Sequence, residues 1–210
     1  MNEDQLKTIL AYDRSADLFT ESIAKLSNYH HTYNFLIERL NEGDTILDLA
    51  CGPAQISKYI NDQVRINVVG VDLSEKMLEL AKKNIPEGVF YKHTIQDFQS
   101  INKFDSVILG FGVPYLDNEQ TSECIRNAVS LINNGKYLYI SFMHGDGKGY
   151  EKTSFGGDNQ FFIYYHDKSK IRNLILSYGL EIIKEYKLNY TEPNGEITED
   201  VVMIAQKCVC

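Results

Sequence analysis

The sequence predicts an α/β fold: one doubly wound, mostly parallel seven-stranded sheet with an antiparallel last strand and an N-terminal helical extension. Three observations carry this. Between residues 45 and 143, short apolar runs alternate with helical segments, as in βαβ units. Those runs are apolar almost throughout, so helices must cover both faces of the sheet. The last two strand-like segments are joined by a stretch containing Pro-Asn-Gly and no helix, which makes them an antiparallel hairpin.

Taken in order, residues 2 to 41 read as amphipathic helix with no strand-like alternation. The turn signal "NEGD" precedes a strand over Thr45–Leu49. "AQISKYIND" is a helix, "INVVGVDL" a buried strand, and "SEKMLELAKKN" a helix capped by Ser74. "GVFYKHT" and "FDSVILGF" are strands, and "NEQTSECIRNAVSLINN" is a helix that Gly135 is expected to close. "KYLYISFM" is the fifth strand. The stretch 144–160, "HGDGKGYEKTSFGGDNQ", holds five glycines and no apolar period, and reads as a long mobile loop. "SKIRNLILSYGL" is a helix ending at Gly179, and "EIIKEYKLNY" and "VVMIAQKCV" complete the sheet. The whole is one domain over 1–210: a helical cap (1–43), a ligand-binding half (44–143), and a substrate loop with the C-terminal hairpin (144–210).

The 210 residues suffice for one domain with a proper core. A net charge of −8 and a pI near 5.1 argue against nucleic acid as partner, since gripping phosphates needs clustered Lys and Arg. The opening "MNEDQLKTIL" lacks an apolar core, so no secretory signal is expected, and no apolar run approaches membrane length. The expected location is the cytoplasm. There, Cys51, Cys124, Cys208 and Cys210 read as reduced thiols, and Asn189-Tyr190-Thr191 as a chance glycosylation match.

The informative stretch is "ILDLACGPAQ" (46–55). In a doubly wound sheet the first strand-to-helix turn lies at the ligand site. Gly52 admits a close ligand, and Ala50 and Ala54 are small at the flanking alternate positions. Asp48 would repel a pyrophosphate and suit an ammonium or sulfonium. Asp72 ends the second strand twenty residues beyond Gly52, the spacing at which a carboxylate accepts from ribose hydroxyls. Leu73 and Met77 follow and could face an adenine ring.

From "YDRSADLF" (12–19) to the final hairpin, the chain resembles a class I S-adenosylmethionine-dependent methyltransferase. "LDLACGPA" resembles the family's first motif, Asp-x-Gly-x-Gly-x-Gly, with Ala50 and Ala54 replacing the outer glycines. "VVGVDLSEKML" resembles the ribose motif, with Asp72 in the acidic place. "HTIQDF" resembles the adenine segment, although Thr94 stands where the family usually has Asp; the contact then falls to Ile95 or Gln96 backbone, or to Asp97. "FDSVILGFGVPYL" resembles the fourth-strand motif, which implies that Gly110 and Phe111 line the sulfonium region. The resemblance implies S-adenosyl-L-methionine as cofactor and a reversed seventh strand.

Methyl transfer from a sulfonium chiefly needs two reactants held in line, and a base only where the nucleophile must lose a proton. His144, at the end of the fifth strand, is the candidate base, with Tyr115 and His166 as further catalytic candidates. Tyr12, Phe19, His31 and Tyr165 are the substrate candidates. His30 and His31 point about 100° apart on a helix, so at most one faces a pocket. His93 reads as a surface group. Base- and amide-methylating enzymes often carry Asn/Asp-Pro-Pro-Tyr/Phe after the fourth strand. Here Gly112-Val113-Pro114-Tyr115 offers no side-chain acceptor, which favours a small-molecule methyl acceptor. A dinucleotide-dependent oxidoreductase would want G-x-G-x-x-G, and Gly52–Ser57 does not supply it. A non-catalytic cofactor-binding protein stays open, because no catalytic carboxylate or histidine motif stands out.

Overall fold

The computed structural model describes residues 2–153, 156–191, 195 and 197–209. Its frame is a seven-stranded sheet with the order β3-β2-β1-β4-β5-β9-β8. Strands β1 (Thr45–Leu49), β2 (Asn67–Asp72), β3 (Val89–Lys92), β4 (Phe104–Gly110) and β5 (Ile132–His144) run parallel. β9 (Ile197–Lys207) is antiparallel both to β5 and to β8 (Leu180–Thr191). The chain moves outward one way from β1 to β3 and then returns to start β4 on the other side. The switch point therefore lies between the carboxyl ends of β1 and β4, where open α/β sheets bind ligands.

Alternate residues of the central strands feed two cores. Leu47, Leu49, Val107, Leu109 and Ile140 pack under α5 (Asn118–Leu131) and α6 (Lys168–Ser177). Ile46, Ile108 and Val68 pack on the other face with Leu36 of α2 (His30–Ile37), Ile60 of α3 (Gln55–Asn61) and Ala81 of α4 (Glu75–Asn84). Being apolar on both faces is what the continuous apolar runs required. Ser74 caps α4 by accepting the Met77 N–H at 3.1 Å.

The structure differs from the sequence reading in two places. α5 stops at Leu131 instead of running to a Gly135 cap. Ile132 pairs with Phe104 and Tyr137 with Ser106, so residues 133–136 bulge out of β5, and Gly135 takes its positive φ there. Lys207 ends the helix in place of a glycine, since its ammonium donates to the Val129 and Ile132 carbonyls at 2.9 Å each. The second difference is the expected mobile loop over 144–160. It holds β6 (Lys148–Lys152), paired antiparallel with β7 (Gln160–Tyr164). β6 alone is too polar to announce a strand. The hairpin is held from outside, by α1 (Glu3–Ile23): Ala11 packs with Phe161 and Ile163, and the Phe162 N–H donates to Thr8 Oγ1 at 3.0 Å. Residues 154 and 155, between the two strands, lie outside the described residues, as do the Pro193-Asn194 of the last turn and Cys210. Cys51 and Cys124 are buried free thiols and Cys208 is exposed. Among the described residues no helix is long and apolar enough to cross a membrane.

Candidate active site

A cavity of about 1120 Å³ opens over the switch point. Its floor is the turn after β1. Ala50, Gly52 and Ala54 all take left-handed φ values, 59°, 51° and 59°. Only glycine adopts this conformation without strain. Phe111, just after β4, is a third non-glycine residue at positive φ (54°), and its N–H donates to Ser141 Oγ at 3.0 Å. Held strain of this kind clusters at functional sites. The two loops touch: a Cβ added to Gly112 would come within 2.8 Å of the Ala50 methyl.

Two carboxylates frame this floor. Asp72 accepts the Gly52 N–H at 2.8 Å and the Ser74 N–H at 2.9 Å, tying the first turn to the end of β2. Burial raises its pKa, against the lowering effect of those N–H donors. Asp48 is 2% exposed and accepts a hydroxyl hydrogen bond from Ser57 at 2.6 Å. Its burial pushes its pKa up to about 7, the Ser57 hydrogen bond opposing and the Asp72 charge adding to the rise. Farther along the wall, the Thr94 hydroxyl donates to Asp97.

The opposite wall comes from α1 and α2. The Tyr12 and Tyr115 hydroxyls hydrogen-bond each other, and the Tyr12 ring stands edge-on to Phe19 and to Tyr115. Gln5 Nε2 donates to the Tyr115 carbonyl at 3.1 Å, and Ser74 Oγ donates to Asp13 at 2.5 Å, so α1 is anchored at both ends of the cavity. Phe19 lies over the turn, 3.7 Å from where a Gly52 Cβ would stand. Deeper in, the Tyr29 hydroxyl donates to Asp200 Oδ2 at 2.5 Å, and its ring meets Phe111 edge-on with centroids 5.5 Å apart.

The cavity wall gathers Asp48, Ala50, Gly52, Asp72, Leu73, Met77, Thr94, Ile95, Gln96, Gly110 and Phe111, together with Tyr12, Phe19 and Tyr115. Four candidates stand elsewhere. His144 is not on the wall: its Nδ1 accepts the Lys168 N–H at 3.3 Å, at the corner where β5 meets α6. His166 is buried behind the 3₁₀ turn Val113–Tyr115, where Nε2 donates to the Val113 carbonyl at 3.1 Å and burial lowers its pKa. Tyr165 donates to Glu151 at 3.0 Å, on the hairpin. His31 faces Tyr186, edge-on at 5.0 Å, whereas its neighbour His30 reaches the cavity, stacked on Tyr59. The helix geometry allowed one of the two histidines, and the structure turns the other one inward.

Among the wall residues the sequence did not flag are Tyr29, Met143 and Asp200. Tyr29 and Asp200 are 171 positions apart and meet only because β9 inserts beside β5, a pairing that no local spacing announces.

Residues 46–135 match a family model described as a methyltransferase domain. The chain is 36% identical over 78 residues to a demethylmenaquinone methyltransferase of Chlamydia pneumoniae, 37% of this chain and 32% of that protein. The curated relatives it matches are spanned over only 32% to 65% of their lengths. Among solved structures, a SAM-dependent methyltransferase from Methanosarcina mazei superposes with a TM-score of 0.71 at 18% identity, covering 88% of this chain and 99% of that one. A 1,6-didemethyltoxoflavin-N1-methyltransferase from Burkholderia thailandensis, solved with its substrate and S-adenosylhomocysteine, gives 0.71 at 14% identity over 100% and 92%. The fold is that of the class I S-adenosylmethionine-dependent methyltransferases.

Proposed function

We propose that this chain is an S-adenosyl-L-methionine-dependent methyltransferase acting on a small-molecule acceptor. The observation that carries the reading is the pair of carboxylates, Asp48 and Asp72, flanking a strained, nearly glycine-free turn at the switch point. Such a turn repels phosphate and accepts cations and hydroxyls. The fit to the cofactor is specific to its parts. Asp48 suits the cationic methionine end. Asp72 suits the ribose hydroxyls, in exchange for or beside its Gly52 N–H bond. Leu73 and Met77 supply an apolar face for adenine, and Asp97, held by Thr94, stands in the acidic place that Thr94 vacates. The cofactor supplies an activated methyl group on a cationic sulfur.

The chain's own part is positioning. Phe111, fixed by Ser141, and Tyr115, fixed by Tyr12, set the wall against which the acceptor lies. α1 covers one side of the cavity through Tyr12 and Phe19. His144 and His166 are corner supports in this reading, not bases.

Calorimetric titration tests it. S-adenosylmethionine and S-adenosylhomocysteine should bind at micromolar level, and Asp72→Ala should weaken both by about 100-fold, the order lost with a buried charge-assisted hydrogen-bond pair. Absence of binding to either would overturn the reading. A non-catalytic binding protein would bind both and never turn over.

A further inference from the structure

We infer that the methyl acceptor is an amine, received on the wall formed by Asp200, Tyr29, Phe111 and Met143. This rests on the methyltransferase reading above. Asp200 is 3% exposed yet lines the cavity, and Tyr29 fixes its carboxylate through the 2.5 Å hydroxyl bond. Met143 is its register partner across β5 and β9, so both side chains project from the same face. The Tyr29 ring, whose hydroxyl holds Asp200, meets the Phe111 ring edge-on with centroids 5.5 Å apart. A carboxylate with aromatic faces and a polarisable thioether is a cation-recognising surface.

The sign of the charge selects the nucleophile. Phenols, thiols and carbon acids react as anions, which Asp200 would repel, and they need a base to form. Among the described residues the only histidine on the wall is His30, and it is stacked on Tyr59 with centroids 4.2 Å apart. Among the described residues of the wall, Lys58 is paired with Asp62 at 2.7 Å, and Arg126 is exposed. An amine is bound as its ammonium, gives one proton to water to free its lone pair, and regains positive charge as the neutral nitrogen reacts. Transfer forms one nitrogen–carbon bond and breaks one sulfur–carbon bond, whose electron pair stays on sulfur. Positive charge thus leaves sulfur and appears on nitrogen, which then gives a proton to water. Asp200 and the rings stabilise that developing charge where it arises.

The test reads binding through the methionine methyls. Met77 sits at the cofactor end and Met143 beside Asp200, so a protein labelled with ¹³C at its methionine methyls reports the two ends separately. It is titrated with S-adenosylhomocysteine, and then with phenethylamine or its neutral counterpart 2-phenylethanol at pH 7. The cofactor product should shift Met77. Phenethylamine should then shift Met143 with an affinity at least about tenfold above that of 2-phenylethanol, and Asp200→Asn should erase the preference while Met77 still responds. A Met143 signal that ignores the amine, or that answers both probes equally, overturns the inference, as does a preference that survives Asp200→Asn. If that variant does not fold, the amine-against-alcohol ratio of the wild-type protein decides alone. A Met77 signal that ignores S-adenosylhomocysteine would sink the cofactor reading instead.

Discussion

The two walls of the cavity are built on different principles. The wall proposed for the cofactor is a matter of backbone: it rests on two short segments, residues 48–57 and 72–77, whose geometry comes from φ angles, one N-cap and N–H donors to Asp72. The wall proposed for the acceptor is a matter of side chains brought from Tyr12, Tyr29, Phe111, Tyr115 and Asp200, with α1 held to the β6–β7 hairpin by the Phe162 N–H bond to Thr8. The first wall is part of the sheet's own folding unit. The second is an assembly laid over it, and it should be the softer of the two.

That difference can be broken most directly at Phe161. Its ring is fully buried between the hairpin and α1, 4.7 Å from the Tyr12 ring. Phe161→Ala should cost about 3 kcal/mol, the low end for a buried phenylalanine because the gap is beside a cavity and can relax. The loss should appear as faster hydrogen exchange in α1 and β7, with the amides of β1 and β4 unchanged. Equal acceleration in β1 and β4 would mean that one cooperative unit carries both walls.

A smaller effect separates the walls by pH. Asp48 has a folded pKa of about 7 against an ordinary 3.8, chiefly through burial. The folded carboxyl therefore keeps a proton that the unfolded chain releases, and stability falls as pH rises from about 4 to 7. Asp48→Asn removes this fall, so the variant should gain on the wild type by on the order of 2 kcal/mol between pH 5 and 8, measured by urea unfolding. The same variant should bind S-adenosylmethionine about tenfold more weakly and lack the rise in affinity through pH 7 expected of the wild type. Stability curves that run parallel at every pH would show that the Asp48 charge is not strained by its site.

What the sequence could disclose follows the same division. The sheet, its reversed last strand and the turn that joins β1 to the end of β2 are legible because each rests on local spacing: apolar runs of strand length, Gly52 to Asp72, and Ser74 ahead of Met77. The end of α5 was misread because its cap, Lys207, comes from 76 positions away, out of reach of any window around Gly135. The β6–β7 hairpin was misread because its apolar support is on α1, not in its own alternation. The positions of the histidines are not legible for a related reason. A strand end fixes where His144 begins, but the side chain turned to the α6 backbone. Choosing between His30 and His31 needed the rotation of α2, which Leu36 and Thr32 set by facing the sheet core.

The smallest predicted effect tests the backbone wall at its finest grain. Ala50 and Ala54 share φ = 59°, so each carries the same left-handed strain, about 1–2 kcal/mol for an L residue. Glycine relieves that strain at either position, while its freer unfolded chain returns about 0.4–1 kcal/mol. The two positions differ in burial. The Ala54 methyl is fully buried at the start of α3, packed in the core with Ile60, whereas Ala50 is partly exposed to the cavity. Ala50→Gly should thus stabilise by about 0.5–1 kcal/mol, and Ala54→Gly should fall short of it by about 0.8 kcal/mol, the worth of one buried methyl group. Urea midpoints of the two variants, measured side by side, isolate that difference because the strain cancels. Equal midpoints would mean that the Ala54 methyl contributes nothing to the core. Destabilisation at both positions would mean that the turn holds these φ values without strain, and that alanine is there for the contact it makes with Gly112 and α3 rather than in spite of its side chain.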